Sequence, residues 1–134
     1  MQASATSVFL ARLIGPVMVA IAVGILANSA HYRRMAEEGL HSHVLIYVTG
    51  VITLAAGLAI VLTHNVWALS WRVLITLIGW LFVVGGAVRI VVPQRSEAMG
   101  RWFLAHPRGM LGMPCVLLAL GLVLCGFGYA GALR

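Results

Sequence analysis

The sequence predicts an all-α integral membrane protein in which four spanning helices form a four-helix bundle. Hydrophobic residues make up 62% of the 134-residue chain and charged residues only 9%, and the mean hydropathy is +1.04. The apolar residues fall in four runs of about 20 residues, the length at which a helix crosses a hydrocarbon core about 30 Å thick. The predicted spans cover residues 8–28, 44–63, 73–92 and 110–130.

The segments between the spans are too short to fold separately, so residues 1–134 are expected to form one membrane domain. These segments are predicted to be polar loops of about 15, 9 and 17 residues. The first span is expected to remain in the protein rather than be removed as a signal peptide. No basic segment precedes it, and its apolar run is longer than that of a usual signal sequence.

The arginines predict the orientation of the chain. Six lie in the first and third connections or at the helix ends beside them, namely Arg33, Arg34, Arg89, Arg95, Arg101 and Arg108. Arg12, Arg72 and Arg134 lie toward the other side. Because Arg-rich loops stay in the cytoplasm, both long connections are predicted there and both termini in the periplasm. This topology also accounts for the net charge of +6, so no nucleic-acid partner is expected.

The charged residues have a narrow composition. All nine basic residues are Arg and all three acidic residues are Glu, a bias typical of GC-rich bacterial genomes, so we predict a bacterial inner membrane. The arginines of the cytoplasmic rim are expected to bind lipid headgroups, and bound phospholipid is expected with them. These rim residues are Arg33, Arg34, Arg95, Arg101 and Arg108.

The chain resembles itself at an offset of 64 residues. Leu13-Ile14-Gly15 aligns with Leu77-Ile78-Gly79, and Leu54-Ala55-x-Gly57-Leu58 aligns with Leu118-Ala119-x-Gly121-Leu122. An offset of two spans keeps both copies in the same orientation, so we expect two tandem, parallel repeats of one helical hairpin. Many alternating-access transporters instead contain inverted repeats around a midplane site, which makes transport less favoured here.

Small residues recur at helical spacing within the spans. In lipid, close helix contact depends on small residues, because apolar side chains gain little by exchanging acyl chains for one another. We predict that these residues pack the spans inside the bundle, in preference to dimerisation or docking onto other subunits. The glycines assigned to helix packing are Gly24, Gly57, Gly79, Gly86 and Gly121.

The spans contain no acidic residue. Proton-coupled transporters generally use a buried carboxylate or histidine as the exchangeable site, so coupled transport is not favoured. Arg12, Arg72 and Arg89 lie near span ends, and their side chains are expected to snorkel to the headgroups. The sequence has no phosphate-binding loop, zinc-protease motif or Ser-His-acid set, so the chain is predicted not to be an enzyme and to have no catalytic residue.

The first connection contains the richest polar segment of the chain. If it continued as a helix, Glu38 and His41 would share a face and His43 would add a third ligand, as in a carboxylate and imidazole metal site. Gly39 is predicted to weaken helical continuity at this point. We therefore favour a solvated interfacial loop that binds no metal.

Two histidines are candidate cofactor ligands. His43 and His64 lie about 31 Å apart along the second span, so they cannot ligate one haem together. Either one could ligate a porphyrin or chlorophyll held by a neighbouring subunit, but nothing in the sequence selects that arrangement. No cofactor is predicted.

The first and second spans contain two short patterns, Arg12-Leu-Ile-Gly15 and Gly50-x-x-x-Leu54-x-x-Gly57-Leu58. Through these patterns the chain resembles the small four-helix bacterial membrane proteins of the DoxX-like group and other uncharacterised four-span families. The resemblance covers nearly all of the chain, implies an inner-membrane four-helix bundle and assigns no functional residue. DoxX-like proteins are linked to respiratory or redox membrane complexes, which implies an accessory role.

These features predict a non-catalytic accessory or structural subunit that stabilises a larger bacterial membrane complex, respiratory or photosynthetic in kind. The first alternative is a small oligomeric transporter or channel with a path lined by Thr49, Thr53, Asn28 or Ser29. The second is a haem- or pigment-binding subunit that uses the histidines at the membrane faces. The expected partners are membrane lipids and either other membrane subunits or further copies of this chain.

Overall fold

The computed structural model describes the backbone of residues 2–130 and the side chains of residues 5–130. Six α-helices account for most of this range: α1 Gln2–Ala27, α2 Ser29–His41, α3 His43–Thr63, α4 Arg72–Val91, α5 Pro93–Ala105 and α6 Pro107–Ala130. Helices α1, α3, α4 and α6 are long and apolar enough to cross a membrane, and residues 2–130 contain no strand. The chain is a multi-pass membrane protein with an all-α bundle. Arg134 and both chain ends, whose sides were predicted, lie outside the described residues.

The first and third connections are helices rather than the predicted loops. Helix α2 contains Gly39 and nevertheless continues to His41. A glycine costs a helix only about 1 kcal/mol relative to alanine, and the Leu45 side chain of α3 lies 3.3 Å from the place where a Cβ of Gly39 would stand. Packing against the bundle thus outweighs the weak helix propensity of this segment.

Ion pairs one helical turn apart support both short helices. In α2, Arg33 and Glu37 are 3.0 Å apart, and in α5, Glu97 pairs with Arg101. Pairs at this spacing stabilise exposed helices by a few tenths of a kcal/mol, about 0.2 to 0.5. Helices α2 and α5 contain no buried residue, as expected of helices that lie on the surface of the bundle.

The helices recur at the same 64-residue offset as the sequence, but the hairpin predicted for each repeat is wrong. Pro93 of α5 stands 64 positions after Ser29 of α2, and Pro107 of α6 stands 64 positions after His43 of α3. Each repeat is therefore a span, a short surface helix and a second span. The two spans of a repeat do not form a close hairpin, because the short helix separates them; instead α1 packs along α6, and α3 packs along α4.

The two helix pairs share one buried core. Its buried members come from all four spans and are Leu10, Ala11, Met18, Ile60, Ile75, Ile78 and Leu124. They lie in the half of the bundle where α3 ends and α4 begins, which we call the His64 end after the residue that follows α3. The opposite end, where α2 and α5 lie against each other, is called the rim end.

Glycines set the closest approach within each helix pair. A Cβ placed on Gly57 would lie 2.9 Å from the carbonyl oxygen of Gly79, and one placed on Gly121 would lie 3.1 Å from that of Gly15. These two contacts are counterparts in the repeat. Gly86 approaches α3 as closely, since its Cβ would lie 2.5 Å from the nitrogen of Leu54.

One of the glycines assigned to helix packing has a different neighbour. A Cβ on Gly24 would lie 2.7 Å from the hydroxyl of Tyr32, which belongs to α2 and not to a span. Gly57, Gly79, Gly86 and Gly121 lie at contacts between spans, as assigned. Gly24 thus fixes the junction of α1 with the rim end.

Candidate functional site

A buried polar cluster joins three helices at the His64 end. His64 caps the C-terminus of α3, Ser7 belongs to α1 and Thr76 to α4. The Oγ of Ser7 lies 2.7 Å from Nε2 of His64, and Oγ1 of Thr76 lies 3.2 Å from its Nδ1. Ser7 and Thr76 are 0% exposed and His64 is 1% exposed, so the cluster is closed to solvent in this structure.

The hydrogen bonds of Thr76 indicate how the cluster is arranged. Its hydroxyl accepts a hydrogen bond from the backbone N–H of Val66 and donates one to the carbonyl oxygen of Val66, both at 3.1 Å. Nδ1 of His64 shares a hydrogen bond with the Thr76 hydroxyl, and Nε2 shares one with the hydroxyl of Ser7. Both ring nitrogens of His64 are therefore engaged, and neither is left for an iron or a metal.

Burial lowers the pKa of the His64 imidazole, and the positive charge of Arg72 lowers it further, while a backbone hydrogen bond acts in the opposite sense. All three glutamates of the chain lie on α2 and α5 at the other end of the bundle. The imidazole is thus held neutral at neutral pH. Through its two hydrogen bonds, His64 links the end of α3 to α1 and α4.

A second polar contact at the His64 end joins α1 to α6. Nε of Arg12 donates to the carbonyl oxygen of Gly128 at 2.8 Å, and its guanidinium lies 5.8 Å from the centre of the Tyr129 ring. The hydroxyl of Tyr129 lies 3.4 Å from the carbonyl oxygen of Arg12. Pro16 cannot donate to that carbonyl, so the hydroxyl of Tyr129 supplies its hydrogen-bond partner.

Arg89 of α4 was expected to snorkel to the headgroups, but its side chain points away from the rim end. Its Cβ lies beside Gly50 of α3, and its Nη1 donates to Oγ1 of Thr53 at 3.2 Å. Thr53 is the central residue of α3, about 15 Å from either end of that helix. Helical side chains lean toward the N-terminus of their helix. Since α4 runs toward the rim end, the guanidinium is directed back into the membrane.

A cavity of about 810 Å³ opens beside Arg89, lined by residues of α2, α3, α4 and α5 and by one residue of α6. Most of its walls are apolar, and they include Leu45, Leu81, Val88, Met99, Phe103 and Met113. The polar side chains in the walls are those of Arg89, Thr49 and Ser96. The lining residues all lie in the half of the bundle away from the shared core, so the cavity ends inside the membrane.

Of the four residues predicted to line a path for a solute, only two lie near each other in the structure. Thr49 lines the cavity and Thr53 binds Arg89. Asn28 and Ser29 are exposed where α1 meets α2 and do not line the cavity. Among the described residues, these four therefore do not line one common cavity.

The candidate metal ligands at the rim end, Glu38, His41 and His43, do not come together as a metal site among the described residues. Glu38 and His41 are exposed on α2, and His43 is exposed at the start of α3. Within residues 5–130, no three His, Cys, Asp or Glu side chains lie where they could hold a metal ion together. The rim arginines are all exposed, as contact with headgroups requires; they are Arg33, Arg34, Arg95, Arg101 and Arg108.

Comparison with protein-family models finds no match, and searches of curated proteins and of solved structures find no significant match either. The residues of the chain itself therefore carry the functional argument.

Three residues that the sequence reasoning did not assign to a site are central to these arrangements. Ser7 lies just outside the first predicted span, residues 8–28, and Thr76 lies inside the third, residues 73–92. Thr76 is polar within an apolar stretch, and both residues lie close to the depth of His64, which is the signal that the sequence offers. The direction of the Arg89 side chain follows from the direction in which α4 runs, because helical side chains lean toward the N-terminus of their helix. The predicted topology already contains that signal.

Proposed function

We propose that this chain is a non-catalytic subunit of a larger complex in a bacterial inner membrane, and that it docks laterally through one face of α6. The observation that supports this proposal most directly is an outward face of small residues that no helix of the described chain covers. Gly112, Ala119 and Gly126 recur every seven residues on α6 and are all exposed. A Cβ on Gly112 or Gly126 would meet no atom within 4 Å.

In lipid, an uncovered small-residue face permits close backbone approach by another helix. Inside this chain, the same type of residue is used in that way where Gly57 meets Gly79 and Gly15 meets Gly121. The α6 face extends the pattern to the outside of the bundle. Cys115 is exposed beside this face, whereas Cys125 points toward α1, where its Sγ lies 2.9 Å from the position of a Cβ on Gly15.

The chemistry of the polar groups also supports a non-catalytic role. His64 is sealed with both ring nitrogens hydrogen-bonded, and the spans contain no carboxylate that could exchange a proton. The Arg-rich rim end is assigned to the cytoplasm by the positive-inside rule. A DoxX-like relationship would suit this role but rests on the sequence patterns alone.

Photocrosslinking from the native thiol tests the proposal. Benzophenone maleimide attached to Cys115 in native membranes should, on illumination, give an adduct with one specific protein of different sequence, identified by mass spectrometry. Cys115→Ser should abolish the adduct and Cys125→Ser should retain it. Mild detergent extraction should recover the same protein with the chain.

Two glycine variants provide a matched comparison. Gly112→Leu places a large side chain on the α6 face and should reduce the adduct strongly, whereas Gly85→Leu, at a position that is equally open but lines the cavity, should leave it unchanged. An adduct with twice the mass of the chain would show that the α6 face binds a second copy of this chain, and the accessory role would be wrong. Adducts with lipid alone would remove the basis for lateral docking.

A further inference from the structure

We propose that the cavity beside Arg89 binds an amphiphile with one apolar chain and an anionic headgroup, a carboxylate or a phosphate. This site is separate from the α6 face and does not depend on the proposed function. Three features support it: the depth of the guanidinium, the lack of an acidic partner and the apolar cavity next to it.

The first feature is the depth of Arg89 in the membrane. Its guanidinium reaches Thr53 at the centre of α3, and residues of α2 and α5 line the same cavity as Arg89. A positive charge at this depth is costly unless something compensates it, and residues of this kind generally mark a ligand or ion site. Arg89 cannot reduce that cost by snorkelling while it is bound to Thr53.

The second feature is the lack of a negative charge in the protein to balance it. Among residues 5–130, the ion pairs are Arg33 with Glu37 and Glu97 with Arg101, and the remaining carboxylate, Glu38, is exposed on α2. A guanidinium has five N–H donors, and the described residues provide one acceptor side chain, Thr53. An anionic group from a ligand would complete both the charge balance and the hydrogen bonds.

The third feature is the cavity itself. Its volume of about 810 Å³ lies within the range of about 300 to 1,000 Å³ usual for sites that enclose one small ligand. A few polar groups in a mostly apolar wall are the usual way in which such sites orient a ligand. Here, Arg89 would bind the headgroup with the hydroxyls of Thr49 and Ser96 nearby, and side chains such as Leu81, Val84 and Met113 would contact the apolar chain.

The test uses the full chain in nanodiscs of neutral phosphatidylcholine and three photoactivatable probes of one chain length: oleate, oleoyl lysophosphatidate and oleyl alcohol. The two anionic probes should label residues of the cavity saturably, and the neutral alcohol at least about tenfold less, the factor expected for loss of a charge-assisted hydrogen bond. Labelling by oleate alone would identify a carboxylate ligand, and labelling by lysophosphatidate alone would identify a phosphate from a lipid. Equal labelling by the alcohol would overturn the proposal.

Variants separate the role of the charge from that of the cavity. Arg89→Gln should weaken binding of the anionic probes by about tenfold or more, and Arg89→Lys should retain part of it. Gly85→Leu should fill the cavity and block binding, because a Cβ there meets no atom within 4 Å, whereas Gly112→Leu should not. If Arg89→Gln fails to fold, the two leucine variants still decide the question. Unchanged binding in Gly85→Leu would exclude this cavity as the site.

Discussion

Gly121 of α6 lies against Gly15 of α1 so closely that a Cβ on Gly121 would stand 3.1 Å from the carbonyl oxygen of Gly15. The counterpart contact in the other helix pair, between Gly57 and Gly79, has a corresponding distance of 2.9 Å. The same backbone contact thus occurs twice, once in each helix pair. The two contacts relate the spans by the 64-residue repeat and fix which span packs on which.

The first prediction concerns these backbone contacts. Gly57→Ala should destabilise the protein by about 1 to 3 kcal/mol, because the new methyl group would lie 2.6 Å from the backbone nitrogen of Val83, which cannot move aside. Gly126→Ala, where the added group meets open space, should be neutral or stabilising by up to about 1 kcal/mol. Unfolding in mixed detergent micelles measures both. Equal effects in the two variants would contradict the packing described for α3 and α4.

The second prediction concerns pH. Because burial lowers the pKa of His64 in the folded state, the unfolded chain binds the proton more tightly, and the free energy of unfolding should fall as pH decreases below the ordinary histidine value of about 6.5. The loss should stop once the pH is below the folded pKa, and stability should be independent of this group above about 6.5. The free energy of unfolding, measured from about pH 4 to about pH 8 so that the range brackets histidine titration, tests whether stability falls toward low pH.

His64→Asn should remove that dependence on pH, whereas His43→Asn, a change at an exposed histidine, should preserve it. If both variants keep the full slope, another group is responsible for the loss of stability.

The third prediction concerns Thr76. Thr76→Val keeps the shape of the side chain but leaves the N–H of Val66 and Nδ1 of His64 without their shared partner. Unpaired buried groups of this kind cost about 1 to 3 kcal/mol. Thr76→Ser should recover most of the stability because it restores the hydroxyl. A valine variant as stable as the wild type would show that the cluster does not hold α3 and α4 together.

The fourth prediction concerns Pro16 and Tyr129. Tyr129→Phe removes the hydroxyl that lies 3.4 Å from the carbonyl oxygen of Arg12 and should cost at most about 1 kcal/mol. In a Pro16→Ala background, the backbone N–H at position 16 can bind the same carbonyl, so the tyrosine change should cost less. A double-mutant cycle of unfolding free energies measures this coupling. A coupling of zero would mean that the hydroxyl does not serve the carbonyl freed by proline.

The spans and the repeat could be predicted because the length and apolarity of a membrane helix and the identity of residues such as Gly15 and Gly79 are local properties of the sequence. The predicted spans agree with the described helices except near the ends, where α6 begins at Pro107 rather than near residue 110. Pro114 consequently lies inside α6. Helix ends depend on caps and neighbours, which apolarity does not report.

Other features could not be predicted because they depend on which helices meet. Helix α2 forms in spite of Gly39 because it packs against α3, and its propensity alone gave the wrong result. The partners of His64 come from two other spans. The repeat obscured them, since its counterpart positions carry different chemistry: His64 and Thr76 in one pair correspond to Gly128 and Arg12 in the other, and both pairs are hydrogen-bonded.

The most direct test of the account is the side of the membrane on which the two short helices lie. Single cysteines would be introduced as Arg34→Cys, Arg95→Cys and Trp67→Cys after both native thiols are changed to serine, and each would be labelled in intact cells with a membrane-impermeant maleimide. If the two repeats share one orientation, the sites in α2 and α5 will react from the same side and the site between α3 and α4 from the other. Because the arginines assign α2 and α5 to the cytoplasm, their sites will react only after the membrane is opened. Labelling of Arg34→Cys and Arg95→Cys from opposite sides would contradict the parallel repeat and the arrangement of spans built on it.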